Sequence, residues 1–241
     1  EDGIRDHCVT GVQTCALPIS VVDKPRDLHE HQGMTLSFEL VLSSRNRKKS
    51  QEISELLAPW KIAVRSIADF PEVGEIDEDG DTFLANASKK ALVPARQLGR
   101  WVIGEDSGLI VDALGGAPGV WSARYSGPQA TDESNNAKLL AELRDIPPER
   151  RTAAYACTVV LADPSGHIRA SATGQCRGVI VGEARGTNGF GYDPYFLVRE
   201  YGRTFGELST LVKHQISHRA RAFTQFIPQL VSLRDHLTAG Q

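Results

Sequence analysis

The chain has 241 residues, 41% of them hydrophobic and 24% charged, the make-up of a globular protein that can bury a core without disulfide or metal staples. A net charge of −3 argues against a nucleic-acid partner, which needs a basic excess, and no apolar run reaches the roughly 20 residues of a membrane span. The four cysteines form no Cys-x-x-Cys pair, so neither a zinc site nor a thioredoxin-like centre is predicted, and their sparseness suits a reducing cytoplasm.

Residues 1–33 show no periodicity and precede the only methionine, Met34. They are predicted to be a non-native read-through, the string Cys15-Ala16-Leu17-Pro18-Ile19 resembling the translation of a sequencing-adapter end; a disordered extension is the alternative. Residues 34–241 are predicted to form the functional domain. A strand is predicted over Leu36–Leu42, then a polar turn and a helix from Lys48 to Leu57, ended by Pro59. Trp60–Ile67 reads as a second strand and Glu72–Asp81 as an acidic loop. Thr82 is the predicted cap of a helix over Phe83–Leu98, with a kink or a shifted boundary at Pro94 and a stop at Gly99. Trp101–Gly104 reads as a short buried strand that delivers Glu105-Asp106-Ser107-Gly108, with Leu109–Ala113 a possible continuation. Thr131–Leu143 is predicted helical. Two strands, Ala153–Ala162 and His167–Cys176, flank the turn Asp163–Gly166, and Gly178–Ile180 continues the sheet. Tyr195–Val198 is a last strand, and Ser217–Leu237 a helix interrupted at Pro228. Alternation in the first half and hairpins in the second predict an α/β fold with a mixed sheet.

Several clusters carry candidate chemistry. Ser44-Arg45-Asn46-Arg47-Lys48-Lys49 sits at a strand-to-helix junction, where backbone N–H groups and cations attract anions; alone it equally suits a solvated basic helix start. Asp77-Glu78-Asp79-Gly80-Asp81 before one helix and Glu105-Asp106-Ser107 after an apolar strand offer carboxylates suited to a hard cation, and a carboxylate at a strand end is placed to activate water; alone, the 77–81 run reads rather as a solvated loop. Gly189-Phe190-Gly191-Tyr192-Asp193-Pro194 offers a backbone that a ligand can approach, aromatic rings and an acceptor for a base N–H. Lys213, His218 and Arg219 are donors for phosphate or purine carbonyl oxygens. A tight turn with core aromatics and a capped helix are the structural alternatives for these last two.

Taken in order, the clusters closely resemble the inosine/xanthosine triphosphate pyrophosphatase family, the Ham1/RdgB type. The matching segments are Ser-x-Asn-x-x-Lys at 44–49, Glu-Asp-Gly-Asp-Thr-Phe at 78–83 with Asn86-Ala87, Glu-Asp-Ser-Gly-Leu at 105–109, the Gly-Gly-Ala-Pro-Gly-Val-Trp-Ser-Ala-Arg-Tyr-Ser-Gly block at 115–127, Gly-Phe-Gly-Tyr-Asp-Pro at 189–194, and Lys213 with Ile-Ser-His-Arg at 216–219. The resemblance implies a long twisted mixed sheet flanked by helices, two lobes with a nucleotide cleft, a homodimer and a requirement for Mg2+. It implies hydrolysis of ITP, dITP or XTP to the monophosphate and pyrophosphate. Ser44, Asn46 and Lys49 would bind the triphosphate and Ser107 the substrate; Asp106 would be the general base and, with Glu78, a metal ligand. Phe190, Gly191, Tyr192 and Asp193 would line the base pocket, and Lys213, His218 and Arg219 would complete it. Arg45, Arg47 and Lys48 share the basic junction and are counted with the substrate-binding set. A Maf-type pyrophosphatase is disfavoured by the Gly-Gly-Ala-Pro-Gly and Ser-His-Arg blocks. A non-catalytic nucleotide sensor is disfavoured because a binder needs no water-activating carboxylate.

Overall fold

The computed structural model describes residues 39–239; the expectations for residues 1–33 and for the start of the first strand lie outside them. The predicted mixed α/β architecture is present. Seven strands form one sheet: β1 (Glu39–Leu42), β2 (Ala63–Ser66), β3 (Val102–Val111), β4 (Thr152–Ala162), β5 (Ile168–Ile180), β6 (Phe196–Val198) and β7 (Arg203–Thr204), in the order β2-β1-β3-β4-β5-β6-β7. β1 runs parallel to β2 and β3, and all later pairings are antiparallel. The parallel pairs need crossovers, supplied by α1 (Arg47–Leu57) and α2 (Phe83–Leu98). The helices α3 (Asp132–Glu142), α4 (Thr210–Ile216) and α5 (His218–Ala239) follow.

Local sequence explains the helix starts. Asn46 Oδ1 accepts from the Lys49 N–H, Thr82 Oγ1 from the Ala85 N–H, and Thr131 and Ser134 form a reciprocal capping box. Gly99 closes α2 in the left-handed region at φ 60°.

Packing is set by glycines beneath two helices. A Cβ on Gly104 of β3 would lie 2.1 Å from the Ala87 carbonyl oxygen and 2.5 Å from the Ala91 nitrogen, so α2 rests directly on the strand. On the other face a Cβ on Gly174 of β5 would meet the Ala222 nitrogen at 2.3 Å, and α5 lies equally close. The α5 face buries Leu40, Ile103, Val159, Phe223 and Phe226; the α2 face buries Val41, Val102, Val160, Ala87 and Ala91. A further apolar cluster joins Leu109, Leu139, Tyr155, Phe196 and Phe205.

Several expectations are corrected. Trp60 lies in a 3-10 turn, so the second strand is limited to Ala63–Ser66. α5 runs through Pro228 without interruption, as α2 runs through Pro94 to its predicted end at Gly99, and a separate short helix, α4, precedes α5. Most consequentially, Glu105 and Asp106 do not follow a strand. β3 runs unbroken from Val102 to Val111, paired with β4 from Val102↔Ala162 to Val111↔Ala153. The acids do not end the strand because each meets compensating partners. The β1–β3 register stops at Leu42↔Ile103. β1 then turns into the basic junction and leaves the next segment of β3 open to a cleft beyond the carboxyl end of β1, where open α/β sheets place ligands.

Candidate active site

Neighbouring strand residues point to opposite faces. Glu105 and Ser107 face α1 and α5, and Asp106 faces α2. On the first face, Lys49 Nζ lies 2.7 Å from Glu105 Oε2, Arg219 Nη2 lies 3.3 Å from Glu105 Oε1, and the Cys157 thiol donates to Oε1 at 3.2 Å. Arg219 Nη2 also donates to Ser107 Oγ at 3.1 Å. Burial alone would raise the Glu105 carboxyl, but Lys49, Arg219 and Lys90 outweigh it and hold it well below the usual carboxylate range. Glu105 is thus a committed ion-pair partner.

Asp106 differs. Asn86 Nδ2 donates to its Oδ2 at 3.2 Å, and Lys90 Nζ lies 3.7 Å from its Oδ1 and 3.0 Å from Glu78 Oε1. Burial, with the nearby Glu105 and Glu78 charges adding, pushes Asp106 up to about 6 against the pull of Lys90 and Lys49. Asn86 also accepts from the Gly80 N–H at 2.8 Å, and the Arg124 guanidinium donates to the Glu78 carbonyl, so the acidic loop is pinned over Asp106. Burial would lower Lys90, yet Glu78, Asp106 and Glu105 raise it above its ordinary value. Two carboxylates therefore converge on one cation. Among the described residues no group of three or more His, Cys, Asp or Glu side chains forms a metal cluster. Two oxygen donors suit a hard cation that keeps water and phosphate oxygens as its remaining ligands.

Two cavities meet at this point. One, of about 240 Å3, is lined by Asn46, Lys49, Ser107, Ser122, Ala123, Asp132, Asn135, Tyr155, Phe190, Gly191, Tyr192, Asp193, Lys213, His218 and Arg219. The other, of about 250 Å3, is lined by Ser44, Arg45, Asn46, Lys49, Glu75, Glu78, Lys90, Asp106, Ser107 and Ala123, among others. Asn46, Lys49, Ser107 and Ala123 border both, and joined they reach the size of a small-molecule site, roughly 300–1,000 Å3. One end is aromatic; the other presents carboxylates and cations.

At the aromatic end, Asp193 Oδ2 accepts from the Phe190 N–H at 2.9 Å and from Lys213 Nζ at 2.7 Å. Lys213 also reaches Glu52 at 2.9 Å and lies 5.0 Å from the Phe190 ring centre, and Glu52 pairs with Arg219. Burial raises Asp193 while Lys213 opposes it. His218 stacks on Tyr155 at 4.7 Å. Burial, then the Arg219 charge, pushes His218 well below the usual imidazole range, so it is neutral, and its Nδ1 has no hydrogen-bond partner.

A family model described as Ham1 family matches residues 40–229. The chain belongs to the Ham1 family. It is 50% identical over 200 residues to a dITP/XTP pyrophosphatase of Rhodopirellula baltica, covering 83% of this chain and 96% of that protein. It is 50% identical over 198 residues to a dITP/XTP pyrophosphatase of Geobacter sulfurreducens, covering 82% and 96%. Among solved structures, a HAM1 protein from Coxiella burnetii is 38% identical and superposes with a TM-score of 0.72, covering 84% of this chain and 99% of that one.

Within this Ham1 chain, the cleft brings together Ser44, Asn46, Lys49, Glu78, Asp106, Ser107, Phe190, Gly191, Tyr192, Asp193, Lys213, His218 and Arg219. Arg47 and Lys48 line neither cavity; Lys48 Nζ instead reaches the Gly189 carbonyl at 3.4 Å. Arg45 borders the acidic end, but its guanidinium donates to the Val73 carbonyl at 2.7 Å and to that of Gly74. Tyr192 is buried and donates to the Ser122 carbonyl at 2.8 Å. Sequence reasoning missed Lys90, inside the predicted helix, and Glu52, one turn beyond the basic junction. The signal for Lys90 was its i+4 spacing from Asn86 in a segment already matched to the family, which puts both on the helix face that meets Asp106.

Proposed function

We propose that this protein is a nucleoside triphosphate pyrophosphatase that hydrolyses ITP, dITP and XTP to the nucleoside monophosphate and pyrophosphate. The observation that carries this reading is the placement of Asp106: a buried carboxyl held at about 6, where an aromatic cavity joins one lined by Lys49, Lys90 and Glu78. The dITP/XTP pyrophosphatases to which the chain is similar support the substrate class. Phe190 and Tyr155 flank the base end, and Lys49, Asn46 and Ser44 face the phosphates. Asp106 takes a proton from the attacking water as that water's oxygen bonds to phosphorus, and the bond between the α- and β-phosphates breaks to leave pyrophosphate. A base poised near the working pH suits that step. Mg2+, held by Glu78 and Asp106, would neutralise phosphate charge and orient the leaving group.

Base selection follows from donors. His218 and Lys213 line the cavity, and an N–H offered by either would suit a 6-oxo purine. A 6-amino group would face them donor to donor, and an unpaired buried polar group costs about 1–3 kcal/mol, or roughly tenfold to a hundredfold in selectivity. The reading extends to residues 34–241 as the active part, to a homodimer, on the family resemblance, and to the cytoplasm, where Cys157 and Cys176, both free and buried, would remain reduced. The test is pyrophosphate release from canonical and non-canonical triphosphates with Mg2+. Fast release from ITP, dITP and XTP and slow release from ATP is expected. Equal rates on ATP and ITP, or release of single phosphates, would overturn the assignment.

A further inference from the structure

The aromatic cavity has two walls on separate stretches of chain. One is the loop carrying Phe190, Gly191 and Tyr192; the other is the 3-10 segment Gly119–Arg124, which contributes Ser122 and Ala123. Ahead of Phe190 the chain from Gly182 to Gly189 is exposed at every position, held at its base where the Asn188 N–H donates to the Gly206 carbonyl at 3.0 Å and its Nδ2 to the Leu208 carbonyl at 3.0 Å. Beyond that base, both walls are tied to the first turns of α3.

Asp132 Oδ2 accepts from the Gly191 N–H at 2.7 Å, and Asn136 Nδ2, four residues on and on the same face, donates to the Gly191 carbonyl at 3.0 Å. Both backbone groups of the residue between the two aromatics are thereby held by one helix. Asn135 serves the opposite wall. Its Oδ1 accepts from the Ser126 N–H at 2.8 Å, and its Nδ2 donates to the carbonyls of Ser122 at 3.4 Å and Ala123 at 3.2 Å. The Tyr192 hydroxyl, donating to the Ser122 carbonyl, closes the frame from wall to wall. Asn135 and Asn136 are buried, and the capping box at Thr131 and Ser134 fixes where the helix begins. The Asn135 amide, buried in several directional bonds, has little freedom to shift; Asn136 is held by its one bond to Gly191, and its Oδ1 meets no partner among the described residues.

We infer that Asp132, Asn135 and Asn136 are positioning residues: α3 sets the spacing between the two walls of the cavity, and through it the discrimination among purine bases. Asn136 lies behind the wall, and Asn135, which borders the cavity, has its amide engaged with the Ser122, Ala123 and Ser126 backbone, so both act through the walls. Asp132 borders the cavity, but its carboxylate is engaged with Gly191. A wall free to move relaxes the fit around the base without touching Asp106, Glu78 or Lys90. Base-dependent binding then weakens while the phosphate end is preserved.

The inference rests on the proposed pyrophosphatase activity, so the test has one arm that does not depend on it. In the first arm, hydrogen exchange of the peptide spanning residues 186–193 is compared between the parent, Asp132→Ala and the double variant Asp132→Ala/Asn136→Ala. Faster exchange in the variants is expected, with Asp132→Asn, which keeps an acceptor oxygen, close to the parent. In the second arm, kcat/KM is measured for ITP and GTP. The ITP preference is expected to fall about tenfold through KM, the size of one lost charge-assisted hydrogen bond, with the Mg2+ concentration for half-maximal rate unchanged. Unchanged exchange overturns the clamp. Changed exchange with an unchanged ITP to GTP ratio, or equal losses on both nucleotides through kcat, overturns its role in selection. A parent protein with no preference for ITP would refute the proposed function itself and leave the exchange arm to decide the clamp. Asp132 is exposed, so its single variant keeps the test available if the double variant does not fold.

Discussion

Glu105 and Asp106 are adjacent on β3, equally acidic in sequence, and nearly equally buried, yet their surroundings push them in opposite directions. Glu105 faces α1 and α5, where Lys49 and Arg219 overcompensate its burial and hold it ionised. Asp106 faces α2, where burial dominates over Lys90 and leaves its carboxyl at about 6. Neighbouring carboxyls with separated pKa values fit the proposed division of labour between a structural charge and a proton acceptor. The comparison also shows why two adjacent acids need not form one metal site: strand alternation puts them on opposite sides of the sheet.

The largest effect expected from breaking this contrast is on turnover. Asp106→Asn should lower the rate by about a hundredfold to ten-thousandfold, the usual contribution of general-base catalysis. Its stability should not fall. A carboxyl raised in the folded state contributes stability that is complete below the unfolded pKa and is lost as pH rises through about 6. At neutral pH the metal-free parent therefore bears a burial cost that the amide removes. Steady-state rates and urea unfolding with a metal chelator test both statements; a well-folded variant that keeps most of its activity refutes the assignment.

Glu105→Gln should show the reverse pattern. It leaves Lys49 and Arg219 without their shared counter-charge, and removing one partner of a buried pair typically costs about 3–5 kcal/mol. A shift of the urea midpoint to lower concentration is expected, larger than for any change at Asp106.

The two faces can be disturbed separately through their glycines. Gly104→Ala would drive a methyl into the backbone of α2, displacing Asn86 and Lys90 from Asp106; Gly174→Ala would push α5 and Arg219 away from Glu105. Each should cost about 1–3 kcal/mol or more as overpacking. Thermal unfolding gives the cost, and the Gly104 variant should lose more activity per kilocalorie of lost stability.

A smaller effect belongs to His218. Its folded pKa is well below 6.5, so above that pH neither state binds the proton and the group contributes nothing. As pH falls below about 6.5, the unfolded chain takes a proton that the folded protein refuses, and stability declines by up to about 1.4 kcal/mol per pH unit. Because Asp106 gains stability over the same window, the test is the difference between chains: from pH 7 to pH 5.5, urea unfolding should show the parent losing stability relative to His218→Asn.

Much of this molecule is legible in its sequence because the deciding signals are local. Asn46, Thr82 and Thr131 cap the helices they precede, Gly99 ends α2, and the Asp163–Gly166 turn joins β4 and β5. The blocks that place the chain in the Ham1 family are also contiguous runs, readable without a fold. The misread elements are those where tertiary contacts override a local signal. α5 runs on through Pro228, and β3 continues through two acids because cations await on each side.

Sequence alone thus determined the mixed sheet, the helix boundaries set by caps, and the stretches from which a cleft is built. The tertiary structure decided what each charged side chain in that cleft does. Lys213 and Glu52 lie 161 residues apart, and Arg219 and Glu105 lie 114 apart. Nothing in either segment specifies the other. A carboxylate's charge state depends on burial and on cations within a few ångströms, and only the folded sheet, with α1 and α5 on one face and α2 on the other, sets those distances.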